Sequence, residues 1–437
     1  MISSRRSGTT AVVNVDLIVR SRGLRTFMST LRNTMTLQVD DEIQQYIDKK
    51  LTHQGHNSER RAFRACRRRW NWIYRDMYNP MVPSMPLDFG VAFHVAMETF
   101  YEPRTWTADN EVRTDLALVA FKRTADAQLK KYKKQHPDPD IEVLNGYKEH
   151  QELGLNMIKY YCGRVSPVYD RNWKPIEVEV SFEVPIKDPE TGLQLWCKCE
   201  SCRRRWIKAG YPEPNSDWKG LPVTYGGRLD ALFEDTQGRY WIVDWKTTSR
   251  MLDEDKESSF LQLDDQVVGY MWSLEQYGIH CAGFVYVEIR KTFPQPPERL
   301  QRIYKGKAFS TNKANWTTAE LFERTVMRED NDAWQMGIYD DHIRWLNSEG
   351  PKFTMRHQIH KNKHEIEEAG KVIAYEMMDI TSNPRIYPQA GRFACTWCLF
   401  QTPCLGKNMG EDYQYTLDTL FEKRTMMYWE EKEASTE

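Results

Sequence analysis

No stretch of this sequence approaches the roughly eighteen consecutive apolar residues needed to cross a membrane, and its N-terminus has no apolar block of the secretory kind. A soluble, intracellular protein with no membrane partner is therefore expected. An excess of one charge is missing too: 61 basic residues against 62 acidic ones leave a net charge of −1. Contact with nucleic acid must then come from local patches rather than from a global field. Nowhere does Gly-x4-Gly-Lys-Ser/Thr occur, so the chain carries no P-loop motor. There is no internal repeat and no low-complexity block, which sets aside solenoids and biased linkers. Acids are scarce in residues 1–36, which hold six arginines and only Asp16. That bias resembles an organellar transit peptide. It also suits a leader before an internal start such as Met28 or Met35, and a flexible extension outside the core is the favoured reading.

What remains is globular. A chain of 437 residues, 40% apolar and 12% aromatic, can bury one large core or two moderate ones. Residues 37–170 read as mainly helical: a polar entry over 37–56, a basic helix over 58–79, an apolar helix containing His94, and long amphipathic helices over 108–165 broken at His136–Pro139. From Pro175 the period changes to two, and Ile176–Pro185 alternates as a strand with Glu177, Glu179, Ser181 and Glu183 on one face, which reads as its solvent side, although one of these acids could extend a carboxylate cluster. Residues 171–291 hold the core sheet, with a cysteine-containing insertion at 187–222. Helical patterns over 317–347 and 355–380 dominate residues 292–411, and 412–437 form a charged helix or tail.

Two local basic patches stand out. Residues 60–75 contain seven arginines interleaved with Phe63, Trp70, Trp72 and Tyr74, and 203–208 run Arg-Arg-Arg-Trp-Ile-Lys. Arginines mixed with flat rings suit a single nucleic-acid strand, although most charge runs are solvated helix faces.

Residues 225–249 carry the chemistry. Two β-rich runs flank Asp235-Thr-Gln-Gly238 and read as a hairpin. If residue 235 faces 239, then 230 faces 244, and the alternation of a strand puts Asp230, Asp244 and Lys246 on one face. Paired carboxylates suit a hard divalent cation, and a nearby lysine can orient or help deprotonate a water attacking phosphorus. After the hairpin, residues 262–278 form a helix with Gln266 and Tyr270 on one face, and Gly283–Arg290 a further strand. The order hairpin, helix, strand points to an α/β fold with a mixed sheet flanked by helices.

Nine cysteines in such a chain argue for metal or isolated thiols rather than disulfides. Cys395, Cys398 and Cys404 supply three thiolates, and Cys66 is a candidate fourth. Zinc and an iron–sulfur cluster both fit that set. Cys197, Cys199 and Cys202 make an incomplete second set, without a fourth cysteine or histidine nearby, that reads equally as a zinc site or a loop of reduced thiols. Cys162 and Cys281 are expected to be packing residues.

In order, these residues resemble the PD-(D/E)XK nuclease superfamily, and within it the RecB-like branch of CRISPR-associated, AddAB-type, phage and organellar exonucleases. Gly90-x3-His94 is similar to the branch's histidine motif, Gly227-Arg-Leu-Asp230 to its first acidic motif, Asp244-Trp-Lys246 to its acid-x-lysine motif, and Gln266-x3-Tyr270 to its Gln–Tyr motif. Cys66 with Cys395, Cys398 and Cys404 resembles its iron–sulfur staple. The resemblance implies a restriction-endonuclease-like sheet with a helical N-terminal part and a C-terminal iron–sulfur region. It implies Mg²⁺ or Mn²⁺ on His94, Asp230 and Asp244, catalysis by Asp230, Asp244 and Lys246, DNA contact by Gln266 and Tyr270, and a 4Fe–4S cluster. The expected activity is a DNA exonuclease working on single-stranded ends in replication, recombination or repair, with any helicase or recombination partner a separate protein. The competing readings are a catalytically silent DNA-binding subunit and a zinc-stabilised module without nuclease activity. The acid before Lys246 is Asp where Glu also occurs in the superfamily, and the 187–222 insertion lies outside the pattern.

Overall fold

The computed structural model describes residues 40–81, 84–253 and 260–424; the Arg-rich 1–36 segment lies outside them. Seven strands form the central sheet: β1 (His53–Gly55), β2 (Trp173–Pro185), β3 (Trp196–Cys197), β4 (Leu221–Asp235), β5 (Tyr240–Thr248), β6 (Cys281–Arg290) and β7 (Thr354–Ile359). The long β4 is the spine. Antiparallel β2 runs along one edge of it, opposite residues 224–235. On the other edge lie antiparallel β5, opposite 231–234, and parallel β1, opposite 223–225. Between those two contacts, residues 226–230 carry no strand partner on that edge. β6 follows parallel to β5, and β7 closes the path antiparallel to β6.

The helices that matter are α1 (Asn57–Ala65), α2 (Met85–Phe100), α3 (Asn110–Gln135), α4 (Ile141–Tyr160), α5 (Glu200–Lys208), α6 (Asp265–Gln276) and α7 (Lys363–Thr381). On α2 the buried residues Phe89, Ala92, Phe93, Ala96, Met97 and Phe100 recur at helical spacing, which turns one stripe to a core. That core joins α2, α3 and α4 to Val243, Trp245, Val285 and Val287 of the sheet. A second core joins α1, α6 and α7 to Phe182, Val184, Tyr225 and Leu229. Helices thus cover both faces of a mixed sheet. Among the described residues, no helix is long and apolar enough to cross a membrane.

The helix break at His136–Pro139 falls where the sequence places it, between α3 and α4. Other expectations need correction. Among the described residues of the polar entry, Asp41–Asp48 is helical and His53–Gly55 is a strand. The pattern over 355–380 begins as strand β7 before becoming α7 at Lys363. A strand with one face buried and a helix start cannot be separated over six residues by periodicity alone. The basic helix breaks at Cys66, whose φ −167° and ψ 114° are extended. Its arginines hold the structure together. Arg60, 1% exposed, pairs with Glu376 of α7 at 2.6 Å; Arg61 reaches Asp264 and Asp265 at 2.5 and 2.6 Å; Arg64 pairs with Asp265 and with Glu376. Phe63, Trp70 and Trp72 are buried, so their rings cannot stack on bases. The second patch is likewise engaged: Trp206 stacks on Tyr211, with centroids 4.1 Å apart, and Arg205 donates to the Thr52 carbonyl at 2.9 Å.

A forked hairpin as the candidate active site

The β4–β5 turn has the expected register. Asp235 N–H donates to the Arg239 carbonyl at 3.0 Å, and Gly238 takes φ +73°, a left-handed conformation that glycine adopts without penalty. The Asp235 carboxylate accepts from the Gln237 and Arg239 amides at 2.9 and 3.0 Å, so its side chain builds the turn. From there the ladder runs to Ala231 opposite Val243, and the next pair in step is Asp230 with Asp244. Here the hairpin forks. The Trp245 N–H donates to the Asp230 side chain at 2.9 Å. A carboxylate thus takes up a buried donor that the splaying strands leave open.

β2 turns over at the same level. Val178 and Val180 are two apart, yet Val178 belongs to the α2 side of the sheet and Val180 to the α6 side; Ala231 and Leu229 of β4 divide in the same way. A regular strand would keep such pairs on one face. The residue between the valines is Glu179, whose φ is +52°, a region that costs a residue with a Cβ free energy and that clusters at functional sites. Glu179 lies in step with Asp230 across the ladder and so joins the acids. Its carboxylate accepts from Arg228 Nη1 at 2.7 Å. Donor atoms of His94, Glu179 and Asp230 all lie within 4.8 Å of one another. Alternation favours the solvent side for all the acids of this face and leaves open that one extends the carboxylate cluster; the left-handed residue makes Glu179 that one. Glu183, assigned to the same side, accepts from Thr52 and Thr224 hydroxyls at 2.7 Å each and pins β1 and β4 to β2.

His94 projects from the flank of α2, and its Nδ1 is 3.1 Å from Asp230 Oδ2. Asp244 is 1% exposed. The Lys246 ammonium lies 2.8 Å from its Oδ1 and 2.7 Å from its Oδ2. Gln266 Nε2, on the first turn of α6, donates to Asp244 Oδ1 at 3.4 Å and to the Tyr270 hydroxyl at 3.2 Å. Gly227 permits this approach: a Cβ there would meet Phe182 at 2.4 Å and Tyr270 at 3.2 Å. Tyr286 on β6, which the sequence reading did not single out, stands beside Asp244 in the parallel register.

Environment separates the two aspartates. Burial alone would raise Asp230, but the charges of His94 and Lys246 and the bonds from His94 and Trp245 bring it down to about 2. Burial pushes Asp244 up to about 6, with Asp230 adding to the rise and Lys246 opposing it. Burial would lower Lys246, yet Asp244 and Asp230 hold it well above its ordinary value. Burial likewise works against charge on His94, and Asp230 outweighs it, leaving the imidazole raised. The Glu179 and Asp230 carboxylates and the His94 imidazole around one point, with the Asp244 carboxylate held beside them by Lys246, form a donor set that fits a hard divalent cation. The imidazole leans the set toward Mn²⁺ without excluding Mg²⁺.

The cysteines fall into two places. Arg68, two residues after Cys66, donates to the Cys404 sulfur at 3.2 Å. Cys66 and Cys404 are near enough to Cys398 for their charges to act on its thiol, which burial raises. The far ends of the chain's central portion thus meet at these thiols. Cys197, Cys199 and Cys202 gather elsewhere, and they do have a fourth donor: His53 of β1. No local spacing could reveal it. Cys162 is fully buried and Cys281 packs against the α6 side of the sheet, as packing residues do.

Comparison with curated proteins gives no match. The sequence matches the PD-(D/E)XK nuclease superfamily over residues 58–405, a range that contains every strand of the sheet but β1, the forked hairpin, α2 and α6. The central mixed sheet flanked by helices is the restriction-endonuclease-like arrangement. The protein belongs to the PD-(D/E)XK nuclease superfamily.

Proposed function

We propose that this protein is a divalent-metal-dependent DNA exonuclease acting on single-stranded ends, in replication, recombination or repair. The observation that carries the reading is the convergence of His94, Glu179 and Asp230 on one point, with Asp244, paired to Lys246, in step with Asp230 across the hairpin. His94, Asp230 and Asp244 would hold Mg²⁺ or Mn²⁺, with Glu179 as a further oxygen donor. A bound cation supplies Lewis acidity toward a phosphate oxygen and a more acidic water. Lys246 sits as a fixed positive charge against Asp244, placed to orient the attacking water and to offset charge building on the phosphate. Asp230 is ionised throughout the neutral range, and Gln266 and Tyr270 line the approach from α6 as DNA contacts.

Exonuclease action and the single-stranded substrate rest on the RecB-like order of the His94, Asp230, Asp244–Lys246 and Gln266–Tyr270 motifs. The same resemblance assigns a 4Fe–4S cluster to Cys66, Cys395, Cys398 and Cys404. The nearness of both Cys66 and Cys404 to Cys398 supports that role, a structural tie between the ends of the domain. End-labelled linear single-stranded DNA and a circular control, incubated with Mn²⁺ or Mg²⁺ and protein purified without oxygen, test the reading. Loss of the linear substrate alone is expected. Loss of the circle at an equal rate would overturn exonuclease action.

A further inference from the structure

We infer that His53, Cys197, Cys199 and Cys202 form a closed, structural zinc site that ties the edge of the sheet to the 187–222 insertion. The site is separate from the catalytic cation and from the thiols of the C-terminal loop, and it does not rest on the nuclease reading. Among the described residues the cluster has four protein donors, which is the composition of a structural rather than a catalytic zinc centre. Their spacing fits one ion. His53 Nδ1 is 3.3 Å from Cys202 Sγ and 3.9 Å from Cys199 Sγ, and those two sulfurs are 3.5 Å apart. A tetrahedral ion with Zn–S near 2.3 Å and Zn–N near 2.0 Å places sulfurs about 3.7 Å apart and nitrogen about 3.6 Å from sulfur. The Cys199–Cys202 separation is far beyond the roughly 2 Å of a disulfide.

The surroundings are built for an ion. Cys197 and Cys202 are 0% and 1% exposed, so water has no access to part of the donor set. The Gly220 backbone takes φ +104° and passes so close to Cys197 that a Cβ would lie 2.5 Å from its carbonyl oxygen, which closes the loop over the cluster. The other imidazole nitrogen of His53, Nε2, is buried with no hydrogen-bond partner. Metal-bound histidines usually donate through that second nitrogen; here the buried Glu59 carboxylate acts on the ring through charge and not through a hydrogen bond. The ligands come from β1, from β3 and the residues after it, and from α5. An ion joining them would also steady α1, which follows β1 after His56. Its Arg61 and Arg64 pair with Asp264 and Asp265 at the start of α6, which carries Gln266 and Tyr270.

The test uses the full chain, dialysed against a chelator, with zinc and iron counted by mass spectrometry. About one tightly held zinc per chain is expected, released in step with thiol modification by a mercurial reagent. It should survive in the Asp230→Asn/Asp244→Asn variant and be lost in Cys199→Ser. Replacing zinc with Co²⁺ should give the intense visible absorption of a tetrahedral thiolate site. His53→Cys should retain the ion and shift that spectrum. Wild-type protein without zinc would overturn the inference. So would zinc that leaves with the two aspartates and stays in Cys199→Ser. Should the cysteine variant not fold, the mercurial titration of wild-type protein decides alone.

Discussion

Glu179 carries two burdens at once, and substitution can separate them. Its backbone lies in the left-handed region at φ +52°, which costs a residue with a Cβ roughly 1–2 kcal/mol. Its carboxylate sits within 4.8 Å of the donor atoms of His94 and Asp230. In Glu179→Gly the strain disappears, while the looser unfolded chain takes back roughly 0.5–1 kcal/mol. The Arg228 pair is also lost. With side chains 23% and 12% exposed, that pair contributes no more than about 1 kcal/mol. The terms nearly cancel, so Glu179→Gly should unfold within about 1 kcal/mol of wild type. Glu179→Ala keeps the strain and loses the same carboxylate, and should be less stable than the glycine variant by about 1 kcal/mol. That order reverses the usual one in strands, where glycine weakens a strand interior. Both variants should bind Mn²⁺ at least the 10- to 100-fold more weakly that loss of a supporting carboxylate brings. Urea unfolding of the three proteins, with isothermal titration of Mn²⁺, measures both effects. An alanine variant as stable as the glycine one would refute the strain argument, and unchanged Mn²⁺ affinity would remove Glu179 from the site.

Other consequences follow from the same geometry. Asp230 keeps the His94 imidazole raised and burial holds Asp244 at about 6; a cation needs both deprotonated, so Mn²⁺ affinity should still climb with pH through neutrality as His94 loses its proton. Below about 6, where Asp244 is protonated too, it should fall more steeply than tenfold per pH unit, as titrations from pH 5 to 8 would reveal. Tyr270→Phe removes a hydroxyl bonded to Gln266, and should weaken DNA binding several-fold while leaving the melting temperature nearly unchanged. Far from the site, Arg356 pairs with Asp170 at 2.5 Å, with side chains 9% and 4% exposed. Asp170 also accepts from Tyr101 and Ser166 at 2.6 and 2.7 Å. Arg356→Met leaves that buried carboxylate without its cation and should cost about 3–5 kcal/mol, read by denaturant unfolding. Cys398→Ser should lower iron content and solubility while zinc stays constant; unchanged iron would remove the cluster assignment.

How much of this was legible from sequence depends on how local each signal is. The hairpin was readable because Asp235 and Gly238 set a short turn, and the turn sets the register that brings Asp230 opposite Asp244. The α6 face was readable because Gln266 and Tyr270 are one helical turn apart. Which acid of β2 joins the cluster was not, since alternation assumes a regular strand and one left-handed residue turns β2 over. The arginines of 60–75 were misread because a charge run does not say where its acids are, and Glu376 is more than three hundred residues away. His53 escaped for the same reason. The break at Cys66 runs against a helix-like composition, and the segment's pairing with α6 and α7 overrides that local preference.

The most direct test of the account is cleavage of a labelled single-stranded oligonucleotide in Mn²⁺ by wild type, Lys246→Ala and Asp244→Asn, each with circular dichroism to show it is folded. The account expects metal-dependent cleavage by wild type and a loss of roughly 10²–10³-fold or more in both variants. Cleavage retained by both folded variants would place the chemistry elsewhere and contradict the reading of the forked hairpin as the active site.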